Sequence, residues 1–103
     1  MGQSTLYFPM NKEQIKNKLI DRGYSLPGAE TASSDLISIN DKLKSCLDEW
    51  LASGNEQDYA VEEFSIKGIM QKYNMKYPAA LLSINWILND PKTAIPIIKK
   101  GIR

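Results

Sequence analysis

The most regular pattern in the chain is a series of apolar residues spaced three and four apart between Ser33 and Gly54. The series consists of Leu36, Ile39, Leu43, Leu47, Trp50 and Leu51. This spacing places the side chains on one side of an α-helix for about four turns. A serine suits the start of such a helix and a glycine its end. The pattern predicts a central helix over Ser34–Ser53.

The segment before this helix contains one further helical pattern. Asn11, with Gln14 three residues later, resembles a capping box, and Gly23 suits a helix end. We therefore expect a helix from about Met10 to Arg22. The pair Pro27–Gly28 predicts a loop over residues 24–33. Residues 1–10 have no helical period, and we expect them to form an extended arm.

The C-terminal part predicts three short helices. Ser65 can cap the first of them, which should end near Asn74. Pro78 suits the first turn of a second helix, which reaches about Asn89 and is apolar on nearly every side. Asp90–Pro91 repeats the same signal and opens the last helix. The helix over Pro78–Asn89 should lie at the centre of the fold, together with the one over Ser34–Ser53.

These patterns predict an all-α fold. A chain of 103 residues, of which 43% are hydrophobic, suits one domain and is too short for two separate cores. We expect a single small domain over residues 1–103, an orthogonal bundle of four to five short helices. Its helix pair at residues 65–89 should be helix–turn–helix-like.

The resemblance to the helix–turn–helix motif covers residues 65–88. Its inner positions would be Ile66, Ile69 and Tyr73 on the first helix, Met75 in the turn, and Ala80, Ile84 and Ile87 on the second helix. Asn74 falls at the turn position that adopts a left-handed conformation, which Asn tolerates. Met70 departs from the motif, because a small residue is usual there. The second helix also carries no Lys or Arg between Tyr77 and Asn89.

The residue types present exclude several kinds of catalytic site. The chain has no His and one Cys, Cys46, which removes the usual zinc sites and the Ser–His and Cys–His nucleophilic systems. Neighbouring acidic residues point in different directions on a helix, so they do not form carboxylate pairs. We therefore expect no catalytic residues, no metal, no cofactor and no small-molecule substrate.

Two features of the sequence bear on the location of the protein. No run of eighteen or more apolar residues appears, so no membrane-spanning helix is expected. A lone cysteine suits a reducing compartment, and we expect a cytoplasmic protein. The abundance of Lys, Asn and Ile suggests a bacterial source.

The function favoured by the sequence is a small, non-catalytic interaction or accessory module. Its apolar helix at Pro78–Asn89 and its aromatic N-terminal arm suit contact with a protein partner or with a second copy of the chain. The residues expected at this contact are Tyr7, Phe8, Leu81, Leu82, Asn85 and Trp86.

The alternative is a DNA-binding regulator of the helix–turn–helix type. The residues that would contact the duplex are Lys67, Lys72, Lys76, Tyr77 and Asn85, with Lys92, Lys99 and Lys100 as phosphate contacts. Two features disfavour nucleic acid. The net charge is only +1, and Leu81 and Leu82 occupy positions where base edges would be recognised by hydrogen-bonding side chains.

Overall fold

The structure is a computed structural model that describes residues 11–101, and it is mostly helical, which confirms the all-α fold class. Six α-helices lie in this part of the chain, whereas the sequence predicts four to five. They are α1 (Lys12–Asp21), α2 (Leu26–Leu36), α3 (Lys44–Ser53), α4 (Ile66–Tyr73), α5 (Tyr77–Asn89) and α6 (Pro91–Lys100). A 3-10 turn (Asp41–Leu43) precedes α3, and two short strands, β1 (Ala60–Val61) and β2 (Phe64–Ser65), precede α4.

The chain divides into two compact units, Met1–Ile37 and Ser38–Arg103. A single domain over residues 1–103 remains a prediction. The predicted N-terminal arm over residues 1–10 lies outside the described residues.

The first unit is a pair of packed helices, α1 and α2. The predicted capping box is confirmed, since Asn11 Oδ1 accepts the Gln14 N–H and Gln14 Oε1 accepts the Asn11 N–H. Ile15 and Leu19 are the buried residues of α1. Lys16 Nζ lies 3.0 Å from a Glu13 carboxylate oxygen within α1 and 3.3 Å from one of Glu30 on α2, so an ion pair also joins the two helices.

The predicted loop over residues 24–33 is wrong, because α2 occupies most of it. Ser25 is the N-cap of this helix, and its Oγ accepts the Gly28 N–H. Pro27 is compatible with this position because the N–H groups of a first helical turn have no partner within the helix. Pro27–Gly28 therefore belongs to the start of a helix, although the same pair is common in turns.

The predicted helix over Ser34–Ser53 is also wrong, because the chain forms two helices there. The backbone of Asn40 is extended, with ψ of 141°, and its side chain accepts the Lys42 N–H to begin the 3-10 turn. The apolar residues of the predicted helix are nevertheless buried, Leu36, Ile39 and Leu43 among them. Their spacing thus marks the core correctly but not the continuity of the helix.

The second unit contains α3 to α6 and the two strands. The strands pair antiparallel, with Val61 opposite Phe64. Along the chain, α4 packs against α5 and α5 packs against α6. Fully buried side chains of this unit include Leu43, Ile66, Leu81, Ile84, Ile87 and Ile98. The helix α5, which the sequence predicts to lie at the centre, has seven buried residues.

Candidate interaction surfaces of the helix pair

The pair α4–α5 has the connection expected of a helix–turn–helix. Asn74 ends α4 in the left-handed conformation, with φ of 55° and ψ of 49°, as the sequence predicts. The Met75 N–H then donates to the Met70 carbonyl, and α5 begins at Tyr77. The two helices are therefore separated by three residues.

The start of α4 is closed by its own chain. Ser65 Oγ accepts the Gly68 N–H, and Asp58 Oδ1 accepts the Lys67 N–H at 3.1 Å. The Ile66 N–H donates to the Tyr59 carbonyl. These three bonds use the N–H groups that a first helical turn would otherwise present to an anion.

The front of α5, which would enter a DNA groove, is covered within the second unit. Tyr77 is 1% exposed and Leu81 0%. The Trp50 ring of α3 stacks on the Tyr77 ring, and the Tyr77 hydroxyl donates to the Gln57 carbonyl at 2.6 Å. The sequence predictions are corrected at two positions: Tyr77 has no exposed surface for a duplex, and Leu81 none for a protein partner.

Asn85 is positioned for an internal role. Its Oδ1 accepts the Asn40 backbone N–H at 2.8 Å, and the Asn40 side chain donates to Asn89 Oδ1. These bonds hold the start of the 3-10 turn against α5. Asn85 therefore already has a structural partner, although it was predicted as a contact residue in both functional hypotheses.

Leu82, Asn85 and Trp86 are the predicted contact residues on α5 that stay partly exposed, and of these Leu82 and Trp86 are apolar. They lie one turn apart on α5, so their side chains are neighbours on one side of the helix. We call Leu82, Asn85 and Trp86 the α5 surface. The other two predicted contact residues, Tyr7 and Phe8, lie outside the described residues.

The six lysines predicted for a duplex are all exposed: Lys67, Lys72, Lys76, Lys92, Lys99 and Lys100. They come from α4, the turn after it and α6, and none lies on α5. Lys99 Nζ is 3.3 Å from a Glu63 carboxylate oxygen, so its charge is partly neutralised. Lys72 Nζ lies 5.5 Å from the centre of the Tyr73 ring.

A groove of about 230 Å³ lies between the strand β2 and α4. Its lining consists of Glu63, Phe64, Ser65, Gly68, Ile69, Lys72 and Tyr73. The groove is not predictable from the sequence because it depends on two strands of two residues each. Tyr59 and Val61 are two residues apart, as in a strand, but Phe64 breaks that period, so the pattern is too short to indicate a hairpin.

Two partly or fully buried groups, the Cys46 thiol and the Tyr77 hydroxyl, have raised pKa values. Burial raises the pKa of the Cys46 thiol, which favours the protonated and less nucleophilic form. Burial also raises the pKa of Tyr77 well above its usual range. Within residues 11–101, no group of three or more His, Cys, Asp or Glu side chains is arranged to hold a metal ion.

Comparisons with known proteins give no relative. No family model, no curated protein and no solved structure matches the chain. In the part of the chain described, none of the helices has the length and apolar character needed to cross a membrane.

Proposed function

We propose that the protein is a non-catalytic interaction module that binds a protein partner, or a second copy of itself, through the α5 surface. The observation that carries the proposal is the partial exposure of Leu82 and Trp86 on a helix of which seven residues are buried. Two large apolar side chains one turn apart form a continuous contact area, and tryptophan is enriched among residues that dominate protein interfaces.

The bonds around Asn85 support the same proposal. Asn85 lies between Leu82 and Trp86 in sequence, and its side chain is held by the backbone of Asn40. A surface whose residues are fixed before binding loses less conformational entropy when a partner arrives. The α5 surface is thus favourable for a contact with defined geometry.

The test is site-specific photo-crosslinking in cells that produce the protein. A photoreactive amino acid replaces Leu82 in one variant and Ile97 in another. Ile97 is the matched control because it is an exposed apolar residue on a different helix, α6. Circular dichroism first establishes that both variants retain their helical content. We expect a discrete protein adduct from position 82 and none from position 97, and the adduct mass distinguishes a second copy from another protein.

A charge at the same surface should abolish the contact. The variant Leu82→Asp carries the photoreactive residue at position 86, and it should lose the adduct while remaining folded. The proposal is wrong if position 82 gives no adduct, or if the adduct at position 86 persists in the Leu82→Asp variant.

DNA binding is the second candidate, and the three-residue turn after α4 is the observation that favours it. The covered front of α5 opposes it, because base recognition requires exposed hydrogen-bonding side chains in the groove. Fluorescence anisotropy with a labelled random duplex, at about 50 mM and about 200 mM salt, separates the two candidates. We expect no binding at either concentration. Binding at low salt that collapses at high salt would favour the regulator.

A further inference from the structure

We propose that the groove between β2 and α4 is a second binding site, which takes a bulky apolar side chain flanked by carboxylates on a peptide segment of a partner protein. The inference goes beyond the α5 surface and uses none of its residues. It rests on the shape of the groove, on the fixed position of its walls and on the ammonium group of Lys72, which has no ion-pair partner among residues 11–101.

The floor and walls of the groove suit an apolar side chain. Ile69 is buried beneath it, while Phe64 and Tyr73 are half-buried and present aromatic surface to it. Gly68 contributes no side chain to the wall of α4. Aromatic rings recognise an inserted apolar or aromatic side chain through large contact areas and ring-to-ring geometry. A volume of about 230 Å³ suits one such side chain and is too small for a folded element.

The walls are held in place by bonds outside the groove. The Tyr73 hydroxyl donates to the Ile98 carbonyl at 2.6 Å, which ties the end of α4 to α6. The start of α4 is tied to residues 58 and 59 by the bonds from Lys67 and Ile66. Glu63, at the rim, is paired with Lys99. The groove therefore keeps its shape without a ligand, which lowers the entropic cost of binding.

The charge balance at the rim selects an acidic ligand. Glu63 and Lys72 are the charged residues that line the groove, and Lys99 compensates Glu63. Lys72 forms an ion pair with no carboxylate of residues 11–101. Its ammonium lies beside Tyr73, next to the apolar floor. A carboxylate adjacent to an inserted apolar side chain would supply the missing counter-charge.

The experiment is an NMR titration of the full chain, followed through its backbone amides. The probe is the peptide acetyl-Glu-Phe-Glu-amide. Two further peptides carry Lys in place of both Glu residues, or Gly in place of Phe. We expect saturable shifts confined to residues 63–73 with the first peptide. The basic peptide and the glycine peptide should give none at the same concentration.

Two charge-reversed variants test the role of Lys72. Lys72→Glu should weaken binding of the acidic peptide by about fivefold or more, because an exposed attraction becomes a repulsion. Lys92→Glu changes the net charge equally at an exposed position outside the groove, and it should leave the affinity unchanged. A third variant, Phe64→Ala, should weaken binding without changing its dependence on salt.

The inference is overturned if the shifts are scattered over the surface, if the basic peptide binds equally well, or if Lys72→Glu and Lys92→Glu behave alike. Failure here leaves the photo-crosslinking result at Leu82 unaffected. Conversely, loss of the adduct at position 82 would not alter the titration, since the two surfaces share no residue.

Discussion

The Trp50 ring stacks on the Tyr77 ring, with their centroids 5.9 Å apart and their planes inclined by 19°. Because Trp50 belongs to α3 and Tyr77 begins α5, this contact joins the two helices at the point where a DNA-binding helix would be open. The hydroxyl of Tyr77 extends beyond the stack to the Gln57 carbonyl. The same tyrosine therefore also holds the segment that leads into β1.

Removal of this hydroxyl should destabilise the fold modestly. In Tyr77→Phe the ring stays in place while the Gln57 carbonyl loses its donor, which should lower the free energy of unfolding by about 1 kcal/mol. Urea unfolding measures the difference. Tyr59→Phe is the control, because the Tyr59 side chain donates no hydrogen bond to any of residues 11–101, and its effect should stay within about 0.5 kcal/mol. Equal losses in the two variants would contradict the assigned role of the Gln57 bond.

High pH should destabilise the protein through the same residue. Burial is the largest cause that raises the pKa of Tyr77 above the ordinary value of 10.0. The folded state therefore keeps its proton at pH values where the unfolded chain has released it, so stability is complete below pH 10 and falls as the pH rises further. Urea midpoints at pH 9 and pH 11 should differ less in Tyr77→Phe than in the unmodified chain. Burial also raises the pKa values of Cys46 and Tyr24, and a hydrogen bond to Glu13 raises that of Lys16, so these three groups contribute to the remaining slope.

Asn85 should prove to be a stability residue. Replacement by Ala leaves the half-buried Asn40 N–H without its acceptor, and the expected loss is about 1–2 kcal/mol. Asn89→Ala removes two exposed side-chain bonds, one accepted from Asn40 and a longer one donated to Asn85 at 3.4 Å, and leaves no buried group unpaired, so its loss should be smaller. Thermal unfolding of the two variants gives the comparison. If the Asn85→Ala variant were as stable as the parent, the bond to Asn40 would have no structural role, and Asn85 would be available for contact with a partner.

The backbone conformation of Asn74 predicts opposite outcomes for two substitutions. Its φ of 55° lies in the left-handed region, which penalises a Cβ by about 1–2 kcal/mol and which glycine adopts freely. Asn74→Ala should lower the free energy of unfolding by about 1 kcal/mol, whereas Asn74→Gly should change it little. Chemical denaturation followed by circular dichroism distinguishes them. The turn would need a different explanation if alanine were tolerated as well as glycine.

The fold could be predicted where local signals and packing agree. Asn11, Ser65 and Asn74 are correct as helix boundaries because each satisfies backbone groups within three or four residues of itself. The fold class follows from several such elements and is confirmed.

The errors have two causes, a bond to a residue distant in sequence and a local signal that occurs in two kinds of structure. The interruption before α3 depends on the bond from Asn40 to Asn85, which lies 45 positions away in sequence. No pattern around Asn40 contains that information.

Pro27–Gly28 was assigned to a loop because the pair occurs in both turns and helix starts, and only the Ser25 cap decides between them.

The candidate site could be predicted only in part. Periodicity identifies α5 as apolar, but it does not show which of its apolar residues the rest of the second unit buries, so the sequence predicts Leu81 at the surface together with Leu82, whereas Leu81 is buried. The groove depends on the pairing of Val61 with Phe64, and a strand of two residues has no recognisable period.

The bond from the Ile66 N–H to the Tyr59 carbonyl has a consequence for how the chain reaches this structure. It closes a short loop, and the packing of α4 on α5 and of α5 on α6 likewise joins segments adjacent in sequence. Each of these contacts costs little chain entropy to close, and folds dominated by such contacts reach the native state quickly. We therefore expect the stretch from Tyr59 to Lys100 to assemble from contacts between sequence neighbours, and the Asn40–Asn85 bond, which closes a loop of 45 positions, to form later.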